Sequence, residues 1–423
     1  MRLSNNLMYQ NSINKILQNQ NGVANAQERV NTGQKYLSTS EAPADISQAM
    51  LYTNKIQSNE QYTKNINQLN GRLKTEESVL QGINESIQAA KDIALKAGNG
   101  AYSKDDLKSL ASELTEIQKT LANLMNTRSE DGKYIFSGYQ DSTQPYQFDA
   151  ASGKYNYQGD QGQHKITIAE GVSIKSSDNG YDTFEKTNAR LNVASNTGSI
   201  PTLTPPNNIT AGSVYVDKQG VFDQFHKEQY NADPTAAPSA NTFNIVVSAG
   251  TNPGDPQQYE IQRAGNPLNP PVTGAVQAGE PIEFAGMKIQ LSGAAPGQLD
   301  FSLEPPHKEN VLNTLQGLIT GLNNGTLAGD DFQQVLNDGV TQLQNASEQV
   351  VFTQASLGGR MNVLERVTDS NSALDIQNQS NRSSLLEVDM AAAISELTQQ
   401  ETALQASQAT FGRLAKLSLF DYI

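Results

Sequence analysis

Apolar residues recur at alternating spacings of four and three through Tyr62, Ile66, Leu69, Leu73, Leu80, Ile83, Ile87, Ala90 and Ala94, with Glu76 the one polar intruder. Such spacing keeps one helical face apolar and predicts a coiled-coil seam of about 33 residues, ~50 Å long at ~1.5 Å per residue. Gly98-Asn99-Gly100 stops it, and Ser103-Lys104-Asp105-Asp106 has the S-x-x-D form that caps a new helix. A second stripe follows: Leu107, Leu110, Leu114, Ile117, Leu121 and Leu124. Two stripes joined by a short glycine loop predict an antiparallel helical hairpin. Further on, Leu336, Leu343, Val350, Leu357 and Leu364 repeat every seven residues, and the phase then shifts to Val367 and Leu374. A third long helix laid against the hairpin is the economical arrangement.

Both chain ends carry thinner stripes. One holds Tyr9, Ile16, Val23, Val30 and Leu37, the other Met390, Leu397, Leu404 and Phe411, while the adjacent column contains Gln20, Gln27, Gln400 and Ser407. Residues 1–40 have four basic and one acidic side chain (net +3), and residues 385–423 have two basic and five acidic (net −3). Opposite charge suits the two segments to each other. So narrow a stripe cannot bury enough surface to offset the ordering entropy of both helices. The nine apolar residues are therefore candidate assembly-interface positions, and the ends are expected to order only in a polymer.

Proline marks off the middle. Of 16 prolines, 14 lie between Pro201 and Pro306, and proline breaks helix interiors, so helix is expected in the flanks and not here. Lys133–Gly138, Lys154–Tyr157 and Lys165–Ile168 read as strands, as do Ser213–Val216, Thr242–Val247, Gln258–Ile261 and Met287–Leu291. Turns such as Asn252-Pro253-Gly254-Asp255-Pro256 separate them. The expected fold class is α+β: an elongated helical rod with a small β-hairpin region and an inserted all-β domain. Residues 1–40 and 385–423 form the terminal coiled-coil part. Residues 41–189 and 304–384 form the rod, with its β-hairpin part at 133–184. Residues 190–303 form the insert.

Composition narrows the chemistry. A net charge of −14 on 423 residues argues against docking on nucleic acid or an anionic membrane. The absence of cysteine removes disulfides, thiol catalysis and cysteine-held metals. His164, His226 and His307 are far apart and read as surface or loop residues. Gly98-Asn99-Gly100 sits between helices and lacks the third glycine of a dinucleotide loop. Glu76-Glu77 and Asp105-Asp106 are helix neighbours that point apart, and read as solvated positions. No catalytic, cofactor-binding or metal residue is expected, and the chain is not expected to be an enzyme. Met1–Tyr9 lacks the charged-then-apolar pattern of a cleavable signal, and no apolar stretch approaches the ~18 residues of a membrane span.

Several longer motifs point to a family. Thr32-Gly33-Gln34-Lys35 with Ser40-Glu41-Ala42-Pro43, Asp131-Gly132-Lys133-Tyr134-Ile135-Phe136-Ser137-Gly138 and Leu357-Gly358-Gly359-Arg360-Met361-Asn362 occur in order. Leu386–Ala391, Leu404–Gln408 and the ending Leu417–Ile423 follow. With heptad helices at both ends, the chain resembles the flagellin-like axial proteins of the bacterial flagellum. Within that family the Tyr134–Gly138 run and the ending are similar to the hook-associated junction group. The resemblance covers residues 1–185 and 307–423; where the family's first loop has a second acidic residue before proline, this chain has Ala42. It implies a structural subunit at the extracellular hook–filament junction, exported without a cleaved signal and forming a homo-oligomeric ring. It also implies contacts with a neighbouring hook-associated junction protein and with flagellin, and an export chaperone on the C-terminal segment. Bulk flagellin is the alternative.

Overall fold

The computed structural model describes residues 2–203, 206–250, 252, 254–277, 279–325 and 329–420. Asp421, Tyr422 and Ile423 of the ending motif, and Pro253 of the predicted turn, lie outside the described residues. In chain order the elements are α1 (Arg2–Thr32), α2 (Pro43–Ala97), α3 (Lys104–Met125), β1 (Tyr146–Asp149), β2 (Lys154–Tyr157), β3 (Lys165–Ala169), β4 (Val172–Lys175), β5 (Ile209–Val216), α4 (Gln219–Gln229), β6 (Thr242–Ser248), β7 (Gln258–Arg263), β8 (Asn266–Ala275), β9 (Ile282–Phe284), β10 (Met287–Gly293), β11 (Gly297–Ser302), α5 (Val311–Asn323), α6 (Gly329–Leu386) and α7 (Met390–Phe420). Long helices toward both ends and small antiparallel sheets between them bear out the α+β class. By internal contacts the chain divides into two units. One comprises Met1–Asn70, Ile166–Ile174 and Asn362–Ile423; the other comprises Gly71–Lys165 and Lys175–Met361.

In the second unit the predicted seam is the helical core. Leu73, Leu80, Ile83, Ile87 and Ala90 are fully buried on α2, as are Leu343 and Leu357 on α6. Each buried Leu or Ile contributes roughly 1.5–3 kcal/mol of transfer free energy. Polar side chains tie the edges: Gln88 Nε2 donates to Ser347 Oγ at 2.8 Å, and Ser347 Oγ to Asn84 Oδ1 at 2.7 Å. The helix extends well before the seam. Pro43 opens α2, where its missing N–H would be unpaired in any case, and Asp45 meets the positive helix end. The predicted cap at Ser103 is a capping box: Asp106 N–H donates to Ser103 Oγ at 3.2 Å, and Ser103 N–H to Asp106 Oδ2 at 2.9 Å.

Four expectations need correcting here. The inward face of α3 is Ala111, Leu114, Gln118, Leu121 and Met125, leaving Leu110, Ile117 and Leu124 half-buried. The cause is α5, a helix absent from the sequence reading, which packs on α3 and accepts from Gln118 Nε2 at Leu312 O, 2.8 Å. Lys133–Gly138 is not a strand. Loops saturate its backbone: Tyr134 N–H donates to Asp141 O and Ile135 N–H to Thr127 O, while Phe136 O accepts from Gly180 N–H and Tyr157 Oη. Glu76 is not solvated but fully buried. And the proline-rich middle does contain a helix, α4, lying in the proline-free interval between Pro206 and Pro234.

The β-rich part of this unit has two antiparallel sheets, ordered β5-β10-β9 and β11-β6-β7-β8. Pro267, Pro270 and Pro271 sit in β8, an edge strand with a bulge opposite Ile261/Gln262, where a missing donor is tolerated. Val214, Val216, Phe222, Phe243, Ile245, Ile261, Ile289 and Leu299 form a core with no exposure. Gly212 lets the sheets close, because a Cβ there would lie 2.5 Å from Leu299 Cδ2. Arg190 anchors the entry of the chain into this core. Its buried guanidinium donates to Gln334 Oε1 at 2.7 Å, Asp338 Oδ1 at 2.6 Å and Val216 O at 3.1 Å. His226, expected at the surface, is buried in α4, its Nε2 meeting Glu304 O at 2.8 Å and its ring stacking on Tyr230.

In the first unit α1 packs against α7, and the early part of α2 lies beside the late part of α6. The seven-residue column on α6 does not shift phase. It runs from Leu364 to Asn371, while Leu374 is exposed. Asn371 is tolerated inside because its Nδ2 donates to Ile168 O at 2.8 Å and its carbonyl accepts from Asn59 Nδ2 at 2.7 Å. Those bonds dock the β3–β4 hairpin, helped by Asn65 Nδ2 on Thr167 O at 2.7 Å.

Candidate assembly interface

Two 31-residue helices, one from each end of the chain, form an antiparallel pair. Its register is set by specific contacts. The rings of Tyr9 and Phe411 meet edge to face with centroids 5.2 Å apart. Asn19 Nδ2 donates to Ser407 Oγ at 2.7 Å and to Ala403 O at 3.2 Å. Gly22 admits Gln400, whose Oε1 would lie 2.8 Å from a Cβ at position 22. At the far end Lys35 N–H donates to Leu386 O at 2.7 Å and Val388 N–H to Gly33 O at 2.9 Å, closing the pair with a short backbone bridge. Gly33 has φ +67°, the left-handed conformation that ends α1 and turns the chain into this bridge.

Among the described residues, charge contributes at one place. Arg29 pairs with Glu396 and with Glu41, each at 3.5 Å. These groups are partly exposed, and such pairs are worth little individually. They do realise the opposite signs of the two segments.

The nine candidate residues fall as follows. Tyr9, Ile16, Val23, Val30 and Leu37 are half-buried, as are Leu397, Leu404 and Phe411, whereas Met390 is exposed. The structure brings Tyr9 and Phe411 into direct contact. The register places Ile16 within a turn of Leu404, and Val23 within a turn of Leu397. The innermost residues are Ala26 at 2% and Ala393 at 3% exposure, which the sequence reading passed over. Their signal was small size: Gly22 and Ala26 lie four apart on one face of α1, where small side chains permit close approach. Beyond the pair's own seam, Leu7, Met8, Ile13 and Leu17 on α1 and Ile394 on α7 are exposed. Among the described residues, no group of three or more His, Cys, Asp or Glu could hold a metal ion. No described helix is long and apolar enough to cross a membrane.

Comparison with known proteins places this geometry. Residues 3–141 match the bacterial flagellin N-terminal helical region. The chain is 35% identical to flagellar hook-associated protein 3 of Salmonella typhimurium over 156 residues, 37% of this chain and 49% of that protein. Against the Escherichia coli protein of the same name it is 35% identical over 162 residues, covering 37% and 48%. It is 25% identical to a flagellin of Salmonella derby over 222 residues, covering 48% and 42%. The chain thus spans about half the length of the curated relatives it matches. Two crystal structures from Legionella pneumophila share its fold. Flagellar hook associated protein-3 has a TM-score of 0.58 at 22% identity, covering 79% of this chain and 98% of that one. The flagellar junction protein FlgL has 0.56 at 24%, covering 80% and 99%. The resemblance expected from the sequence motifs is borne out.

Proposed function

We propose that this chain is a structural, non-catalytic subunit of the bacterial flagellum that forms the junction ring between a neighbouring hook-associated protein and the flagellin filament. The observation that carries this reading is the terminal helix pair, with its half-covered seam and exposed apolar residues Leu7, Ile13 and Leu17. Such a pair gains its missing burial from copies of itself and from axial neighbours. The 35% identity to hook-associated protein 3, against 25% to flagellin, supports the junction over the filament.

In this reading residues 1–40 and 385–423 are the polymerisation part, and Tyr9, Ile16, Val23, Val30, Leu37, Met390, Leu397, Leu404 and Phe411 line its interface. Residues 41–189 and 304–384 are the helical body, and 190–303 the variable insert. The subunit leaves the cell without a cleaved signal, its C-terminal segment held by an export chaperone until then. Bulk flagellin is the second reading, favoured by the family match over residues 3–141. Gene deletion separates the two. Loss of a junction subunit leaves hooks without filaments and flagellin secreted into the medium. Loss of the bulk subunit leaves no flagellin to secrete, and unchanged filaments overturn both.

A further inference from the structure

Inside the larger unit, the segment after β4 meets α2 and α6 through three ionisable groups that are buried or nearly so. Glu76 sits on the α2 seam with no exposure. The Asp178 backbone N–H donates to Glu76 Oε1 at 2.9 Å. Arg360 on α6 pairs through Nη2 with Asp178 Oδ2, and directs Nη1 toward Lys175 O at 3.5 Å. The Asp178 and Arg360 side chains are only 11% and 13% exposed. Two buried atoms in the cluster, Glu76 Oε2 and Arg360 Nε, have no hydrogen-bond partner.

The charge count of this cluster is uneven. With Glu76 ionised, two carboxylates face one guanidinium in a largely buried site, and Oε2 is a buried acceptor with no donor. That arrangement is costly on both counts. A proton on Glu76 removes both faults: the cluster becomes neutral, and the new O–H has the Asp178 carboxylate beside it as acceptor. Among the described residues, the charges acting on Glu76 are those of Asp178 and Arg360, and Arg72, one turn earlier on α2, is engaged by Asp131. On α2 itself Lys74 and Glu77 lie on the exposed side. From the segment after β4 the facing group is Asp178, and from α6 it is Arg360.

We propose that Glu76 is a proton-operated latch of the helical body: neutral, it closes the Glu76–Asp178–Arg360 cluster and fixes the segment after β4 to α2 and α6; ionised, it loosens that junction. Burial first, and the Asp178 carboxylate second, push the Glu76 carboxyl from 4.5 up to about 8, against the opposing pull of Arg360. Between those values the folded chain keeps a proton that the unfolded chain has released. The stabilisation is therefore fully present below pH 4.5, declines as pH rises, and is gone above about 8. In the middle of that window the unfolding constant rises roughly tenfold per pH unit on account of this one group. The inference concerns the helical body alone and does not rest on the flagellar reading.

The test compares denaturant midpoints of the full chain and its E76Q variant across the window from pH 5 to 9, beside a carboxyl ¹³C titration of the unsubstituted chain. Gln keeps the shape and the neutral charge of the protonated acid. The latch predicts a midpoint that falls with pH in the unsubstituted chain, a flattened profile in Glu76→Gln, and a Glu76 carboxyl resonance that titrates well above the ordinary carboxylate range. An unchanged slope in a folded Glu76→Gln chain overturns the proposal. So does a Glu76 resonance that titrates near pH 4.5, and that measurement decides the matter if the variant fails to fold.

Discussion

The β-rich body between Ile209 and Ser302 closes its own core, whereas the α1–α7 pair leaves its seam half open. In the first, Phe222, Phe243, Ile245, Ile261 and Leu299 are wholly withdrawn from solvent, and aromatic rings interlock, with Phe243 and Phe301 stacked at 5.5 Å. In the second, alanines are the most buried residues, and Leu7 and Leu17 keep 62% and 53% of their surface exposed. A sheet sandwich of some hundred residues encloses volume; two parallel cylinders enclose only a line. The lesson is that similar apolar content can close a core in one region and stay half uncovered in the other.

Four variants test that contrast. The largest effect is expected from Leu404→Asp combined with Phe411→Asp. It should abolish ring assembly and filament attachment, because every subunit contact repeats the loss, yet shift the thermal unfolding of the isolated monomer little. Motility with export checked separately reads the first, and calorimetry the second. Normal filaments from an exported double variant would remove this seam from the interface, and a monomer melting several degrees lower would show the pair already contributes to folding. Next, Phe243→Ala should cost about 3–5 kcal/mol of the β-rich body's stability, since it leaves a cavity in a closed core. Denaturant unfolding followed by near-ultraviolet dichroism checks it.

A smaller effect follows from His226. Burial holds its imidazole below the usual 6.5, with the Glu304 carbonyl pulling the other way. The folded state thus binds this proton less readily than the unfolded one, so stability is present above pH 6.5 and lost as the medium is acidified, by less than about 1.4 kcal/mol per pH unit. His226→Gln should flatten that acid limb, and persistence of the limb in the variant would assign it elsewhere. Smallest of all, Tyr9→Leu should weaken the α1–α7 pair by roughly 0.5–1.5 kcal/mol, the worth of an edge-to-face ring contact. Amide exchange along α1 would report it.

Much of the helical architecture was legible because coiled-coil packing writes itself as period. The α2 seam and the Ser103 cap need only local spacing, and both appear where the pattern put them. What was hidden depends on partners distant in sequence. The face of α3 turns toward Gln118 and Met125 because α5, some two hundred residues later, packs there. Asn371 holds a seam position because the hairpin carbonyl of Ile168 comes to meet it. Glu76 reads as an ordinary helix-surface acid until Asp178 and Arg360 arrive. In the α1–α7 pair Tyr9 and Phe411 stand on the heptad stripes, whereas the tightly packed small residues Gly22, Ala26 and Ala393 carry no such mark, since a small side chain matters only through what approaches it.

The pairing of the two chain ends also sets a clock. Asn19 and Ala403 are 384 residues apart, so at roughly 5–20 residues per second of synthesis α1 waits about 20–80 s before its partner exists. Throughout that interval its apolar stripe is a sticky, unpaired surface in a crowded compartment. Any molecule that binds the late-arriving α7 segment lengthens the wait, so timing of the last contact, and not its strength, governs when the α1–α7 pair can form.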